Sequence, residues 1–264
     1  MTDRVHARTT SAQDPDTQAP ASLEGLADGV LESLSTFADE AECLAAIDQR
    51  IAKEGCDTLA FINAHAFNMM CERPSFAKDL LAASLLVRDG KGMEIFLDRL
   101  GHEPGANLNG TDLIPAVLAR HTDKKVAVFG TRDPWLSKGC AELEARGNTI
   151  VSKVDGFQDE SAYLGAVDET KPEIVVLAMG MPRQEAVASA IAERCSWQPR
   201  LVICGGAIID FLSNRHSRAP KWLRASGFEW VYRLALEPRR LFRRYVIGNV
   251  QFLNRLKTIE RNRK

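Results

Sequence analysis

Two sets of residues in this sequence carry groups capable of chemistry. The first is a series of small polar residues that each close a short apolar run. Asn63 and His65 follow "TLAFI", Asp89 and Gly90 follow "SLLVR", and Gly130 and Thr131 end "KVAVF". The pairs Asp155-Gly156, Gly180-Met181 and Gly205-Gly206 stand at three further such ends. A carboxylate such as Asp89, with Gly90 and Gly92 leaving room beside it, can take a proton from a bound hydroxyl. Asn63 can fix a hydroxyl or a carbonyl. Each has a plainer reading as well: Asp-Gly is a common turn pair, Asn a common helix cap, and His65 an ordinary half-buried histidine. The second set is "PKWLRASGFEWVYRLALEPRRLFRRYV", Pro220 to Val246, which interleaves Trp222, Phe228, Trp230, Tyr232, Phe242 and Tyr245 with Lys and Arg. Such a stretch suits nucleic acid, a membrane surface or a phosphorylated small molecule.

The elements that must hold these residues are legible from the apolar pattern. Short apolar runs at Thr58–Asn63, Ser84–Gly90, Lys125–Gly130, Thr149–Gly156, Glu173–Gly180 and Leu201–Gly206 alternate with helical stretches such as Trp135–Arg146 and Arg183–Arg194. Strands alternating with helices of this length predict an α/β protein with a Rossmann-like, mostly parallel sheet buried on both faces. In such sheets ligands bind beyond the carboxyl ends of the strands, where the polar and glycine-rich pairs fall. Helical periodicity runs from Leu23 through Ile51, and residues 1–20 read as a disordered polar tail. The expected organisation is a tail at 1–20, an α/β catalytic core at 21–213 and a basic amphipathic appendage at 214–264.

Composition narrows the partners. The 264 residues carry a net charge of −1, which hides an asymmetry. From Arg215 to Lys264 there are 14 Lys and Arg against three acids, leaving 20 bases and 32 acids for the rest. An acidic body with a basic end points to an anionic partner for that end alone. The six cysteines form no C-x-x-C pair, consistent with a reducing, cytoplasmic compartment. No apolar run approaches the ~18 residues of a membrane span, and no signal-peptide core is present, so a soluble or peripheral protein is expected. G-x-G-x-x-G, the P-loop and G-x-S-x-G are all missing, which argues against nicotinamide, nucleoside-triphosphatase and α/β-hydrolase chemistry. The five histidines show no metal-ligand spacing, and the one D-x-D, Asp14-Pro15-Asp16, lies in the tail. No metal and no cofactor are expected.

Five segments, in order and spacing, resemble the WecG/TagA/CpsF family of glycosyltransferases, glycosyltransferase family 26. They are "FINAHAFN" (61–68), "RDGKGMEIFLDRLG…NGTDL" (88–113), "VAVFGTRDPWLSKG" (126–139), "VVLAMGMPRQE" (175–185) and "GGAIIDFLSNRHSRAPKWLRASGFEWVYRLALEPRRLFRRY" (205–245). The resemblance implies an inverting transfer of a hexose from a UDP-sugar to a polyprenyl-diphosphate-linked sugar. Members add N-acetylmannosamine or its uronic acid in wall polymer and common-antigen synthesis, or glucose in exopolysaccharide assembly of the xanthan type. By the same resemblance Asp89 matches the proposed base and Gln184 the glutamine of the nucleotide-sugar pocket. Asp210 follows the "GG" turn and can hold a ribose hydroxyl or support the site from behind. Gly130 and Thr131 can offer backbone N–H groups to a diphosphate or uridine, or form a tight turn.

Two departures from the family pattern matter. Phe61 stands where relatives often carry Thr, which bears on donor-sugar contacts. Asn107 stands where "R-V-x-G-x-D" places an Arg, while Gly110 and Asp112 are kept; losing that guanidinium argues against a uronic acid donor. At the basic end, Leu241, Tyr245, Phe252 and Leu256 share one arc of a helix starting at Pro238, with Arg239, Arg240, Arg243 and Arg244 on the other side. That pattern fits a stripe docked on the core, an anionic membrane surface or a nucleic acid; the acidic body and missing recognition motifs argue against the last. Arg218, Arg224 and Arg233 are candidates to close on the diphosphates. The resemblance thus predicts a UDP-sugar donor, a lipid-linked sugar acceptor and a peripheral position on the inner face of the cell membrane. The alternative is a regulator that binds a UDP-sugar or polyprenyl phosphate without turnover.

Overall fold

The computed structural model describes residues 22–217, 219 and 229–264, with Glu229, Arg233 and Arg240 described by backbone alone. Arg218, Arg224 and the 1–20 tail lie outside the described residues. Six strands form one all-parallel sheet: β1 (Asp57–Ile62), β2 (Leu85–Arg88), β3 (Lys125–Gly130), β4 (Thr149–Val154), β5 (Ile174–Ala178) and β6 (Leu201–Cys204). Their spatial order is β2-β1-β6-β5-β3-β4. Central strands are apolar throughout because both faces are covered. Leu59, Phe61, Val128, Val176 and Ile203 point into one core, and Ala60, Ile62, Phe129, Leu177 and Val202 into the other. From β3 the chain moves outward to β4, while from β5 it moves the other way to β6. The loops after β3 and β5 therefore part, and a crevice opens at that switch point.

Helices cover both faces. In chain order they are α1 (Leu23–Ser33), α2 (Glu40–Ile51), α3 (Ala64–Glu72), α4 (Pro74–Leu81), α5 (Lys91–Arg99), α6 (Gly110–Arg120), α7 (Trp135–Ala145), α8 (Glu160–Thr170), α9 (Arg183–Arg194) and the short α10 (Ile208–Leu212). After them come α11 (Glu229–Leu236), α12 (Pro238–Phe242) and α13 (Gly248–Asn262). The helical run expected from Leu23 to Ile51 is interrupted. Leu34 pairs with Leu86 as an isolated parallel bridge, and Ser35 N–H donates to the Leu86 carbonyl at 2.7 Å. The open edge of β2 thus captures the chain between α1 and α2, and Asp39 recaps the next helix by accepting from Glu42 N–H.

The basic end is joined to the core. Phe252, Leu256 and Ile259 of α13 are fully buried with α1, α3 and α5 residues, and the Phe252 ring meets Phe67 edge-on at 5.7 Å. Burying side chains of this size contributes about 1.5–3 kcal/mol each. Asn68 donates to the Gly248 carbonyl at 2.7 Å and accepts from Arg255 Nη1 at 2.8 Å. The expected single stripe is interrupted by a π-helical turn, Arg243–Ile247, between α12 and α13. Leu241, Phe252 and Leu256 still face inward, and Arg244, near the start of the turn, is half-buried. Arg239 and Arg243 remain exposed.

Candidate functional site

The loops after all six strands border or support one cleft of about 620 Å³. On the β1–β2 side, Asn63 caps α3. Its Oδ1 accepts from the N–H groups of His65 (3.1 Å) and Ala66 (3.0 Å), and its Nδ2 donates to Asp89 Oδ2 at 3.3 Å. One residue therefore ends a strand, starts a helix and orients the carboxylate. The Asp89 turn is fixed from below as well. Asp89 N–H donates to the Ile62 carbonyl, and Gly90, at φ 87°, donates its N–H to Asn107 Oδ1 at 2.7 Å. Buried Arg88 donates to the carbonyls of Pro104 and Gly105 at 2.7 and 2.6 Å. Asn107 thus clamps the backbone of the Asp89 turn.

His65 is held neutral. Burial first, and then the charge of Arg244, pull its imidazole down to about 4. Arg244 reaches the cleft beside Asn63, His65 and Asp89. Gly110 lies on the cleft wall at the start of α6, next to its cap Asn109. Asp112 is not a wall residue; its Oδ2 accepts from Asn109 Nδ2 at 2.9 Å and so steadies that cap.

The β3–β5–β6 side is built differently. A Cβ at Gly130 would lie 2.2 Å from the Ala178 carbonyl oxygen, and one at Gly156 would lie 2.8 Å from Gly130 Cα. Three loop backbones converge where only glycine fits. Thr131, at φ 40°, donates its N–H to the Ala178 carbonyl, so that group is engaged in the fold rather than offered to a ligand as the sequence suggested. Its hydroxyl instead donates to Asp210 Oδ1 at 2.8 Å. Arg215 Nη1 bridges the same two atoms at 3.1 and 3.3 Å. Gln184 is 1% exposed, and its Oε1 accepts from Gly180 N–H (3.2 Å) and Gly206 N–H (2.8 Å). It pins the loops after β5 and β6 to one point on the cleft floor.

Among the wall residues that sequence reasoning missed are Arg215, Phe157 and Arg132. Arg215 gave no signal, since only the fold carries it back to Thr131. Phe157 is 63% exposed on the cleft rim, and the Arg132 guanidinium stacks 4.1 Å from its ring centre. Both directly follow strand-end pairs, Asp155-Gly156 and Gly130-Thr131, and that adjacency was the available signal. An exposed aromatic under a planar cation offers a stacking face to a flat ring.

A second cavity of about 310 Å³ adjoins the cleft on the far side of Asp89. Asn63, His65, Asp89 and Arg244 line both. The rest of its wall is Lys91 and Asn249 with mostly apolar and aromatic groups, among them Ile95, Trp230, Tyr245 and Leu253. Trp230 and Tyr245 meet edge-on at 6.2 Å. Among the described residues no group of three or more His, Cys, Asp or Glu is arranged to hold a metal ion, and no helix is long and apolar enough to cross a membrane.

A parallel α/β sheet with a polar cleft at its switch point, lined by the held carboxylates of Asp89 and Asp210 and by several guanidinium groups, has the form of a site for an anionic small molecule at its strand ends. The sequence model of the glycosyl transferase WecG/TagA/CpsF family matches residues 32–264, and the chain belongs to that family. It is a glycosyltransferase of cell-surface glycan synthesis.

Proposed function

We propose that the chain transfers a hexose from a UDP-sugar to a polyprenyl-diphosphate-linked sugar, with inversion, at the cytoplasmic face of the cell membrane. The observation that carries this reading is the position of Asp89 on a wall shared by two cavities of different character. The polar cleft suits a nucleoside-diphosphate sugar; the smaller, aromatic-lined cavity suits the sugar end of a lipid-linked acceptor. In the transfer, the acceptor hydroxyl oxygen bonds to the anomeric carbon as the bond from that carbon to the β-phosphate oxygen breaks. The hydroxyl proton passes to the Asp89 carboxylate, which Asn63 orients. UDP departs with the electron pair, and Arg215 and Arg244 offset its charge without a metal. Phe157 supplies the stacking face for uracil.

Membrane contact is supported by the helices beside the acceptor cavity. Val231, Leu236, Phe242, Ile247 and Val250 are exposed apolar residues, with exposed Arg239 and Arg243 among them. Such a rim can enter the headgroup region of an anionic leaflet, where each basic residue contributes about 1 kcal/mol. The donor is a UDP-glucose or UDP-N-acetylmannosamine type; the Asn107 clamp supplies no cation for a uronate. The test is a donor panel with a short-chain polyprenyl-diphosphate sugar and no added metal, followed by UDP release and product mass. Transfer from one of these donors is the expected result. Saturable UDP-sugar binding without transfer, on an acceptor that a family relative does use, would overturn it in favour of a binding regulator.

A further inference from the structure

A chamber of about 200 Å³ lies outside the cleft, between β1, the end of α4 and α9, with Cys204 of β6 in its wall. Glu185, Asp79 and Glu193 face it together with the hydroxyls of Ser84 and Ser189, and alanines make up most of the remainder. Among the described residues no Lys, Arg or His lines it. Glu185 is 2% exposed. Its Oε1 accepts from Gln184 Nε2 at 2.8 Å, whereas its buried Oε2 has no hydrogen-bond partner among the described residues. A buried carboxylate oxygen left in that state is costly, and the cost falls if a donor or a cation reaches it. Burial pushes the Glu185 carboxyl up to about 7, with a further upward push from Asp79, and burial raises the Asp79 carboxyl as well.

We propose that this chamber is a binding site for a small organic cation, its ammonium group seated between Glu185 and Asp79. The ammonium carries donors for Glu185 Oε2, for Asp79 and for a serine hydroxyl, and the alanine walls accommodate a short alkyl chain. A bare metal ion is the poorer fit, because the described residues offer no cluster with metal-ligand geometry and the space exceeds one ion. The site is wired to the cleft through one side chain. A cation that keeps Glu185 ionised strengthens its hold on Gln184 Nε2, and Gln184 Oε1 in turn holds Gly180 and Gly206. Occupancy therefore stiffens the two loops on the cleft floor.

Calorimetric titration of the full chain with 1,4-diaminobutane at pH 6.5, in two buffers of different ionisation enthalpy, tests this without reference to transfer. Its outcome is independent of the reaction proposed above. Saturable binding with release of protons is expected, since the cation draws the carboxyls back towards ionisation. The facing groups are Asp79 from α4, Glu185 and Glu193 from α9, Cys56 just before β1 and Cys204 from β6; burial raises both thiols, so at this pH released protons come from carboxyls. Glu185→Gln, nearly isosteric, should weaken binding at least about tenfold and remove the proton release. Asp79→Asn should weaken it by a similar factor, and Asp89→Asn, in the cleft, should leave it unchanged. No saturable heat with diaminobutane, methylammonium or guanidinium overturns the proposal, as does binding that survives both the Glu185 and the Asp79 substitution.

Discussion

The two sides of the cleft are made in different ways. Around Asp89 the site is an assembly of side chains: Asn63 orients the carboxylate, Asn107 holds the turn, and His65 and Arg244 stand beside it with open space on both sides. Around Thr131 it is an assembly of backbone. Glycines at 130 and 156 let three loops meet, Gln184 fastens one of them to the loop after β6, and the Thr131–Asp210–Arg215 triangle is closed on itself. Rigid backbone suits the recognition of a part that does not change during a reaction. Adjustable side chains in a divided space suit the part that does.

That contrast can be broken most sharply at Asp89. Asp89→Asn should cut transfer by about 10²–10⁴-fold while UDP affinity, read by calorimetry, stays near that of the parent; a parallel fall in affinity would show that the two sides are not separable. On the opposite side, Gly130→Ala should cost about 3 kcal/mol of stability, because its Cβ would meet the Ala178 carbonyl. Thermal unfolding reads this directly, and an unchanged melting temperature would mean the loops are not packed as described. Arg215→Ala should weaken UDP binding by roughly tenfold to a hundredfold, the worth of a charge-assisted contact, with turnover of bound donor less affected. Phe157→Ala should weaken it severalfold, on the order of 1 kcal/mol of stacking; UMP and uridine should show the same loss if the ring meets the base.

His65 gives the comparison a pH axis. Its folded value of about 4 lies below the ordinary 6.5, so between these values the unfolded chain binds more protons than the folded one. Its contribution to stability is therefore complete above about pH 6.5 and is lost as pH falls towards 4. Glu185, raised by burial, works in the opposite sense: its contribution is lost as pH rises through about 7. The difference between the parent and His65→Gln isolates the first effect. Denaturant midpoints from pH 4 to 7 should rise less steeply for the variant, and equal slopes would refute the assignment.

Much of the frame was legible. All six strands were expected where they lie, since a buried parallel strand must be apolar on both faces and its end must turn polar. Asn63 and Asp89 were legible for the same reason, each standing one residue past a strand. What escaped was whatever depends on long-range closure. Gln184 was expected in the nucleotide-sugar pocket, but only the converging loops show that its oxygen already serves two glycine amides. Arg215 meets Thr131 across 84 residues of chain. Leu34 looked helical until β2 offered an unpaired edge. Arg244 was grouped with its basic neighbours, but three residues past buried Leu241 it borders the apolar stripe and lies half-buried in the cleft wall.

That turn has a consequence for chain length. A π turn is an α-helix with one residue too many, and it concentrates the surplus between Arg243 and Ile247. Deleting one residue there lets the segment relax to regular α-helix while Phe252, Leu256 and Ile259 keep their places in the core. The same deletion inside α13 would swing that whole buried row by about 100°, the angular step of one residue at 3.6 per turn. Deletions in the α12–α13 region should therefore be survivable only at this one spot, and thermal unfolding of the survivors should still show a cooperative, folded protein.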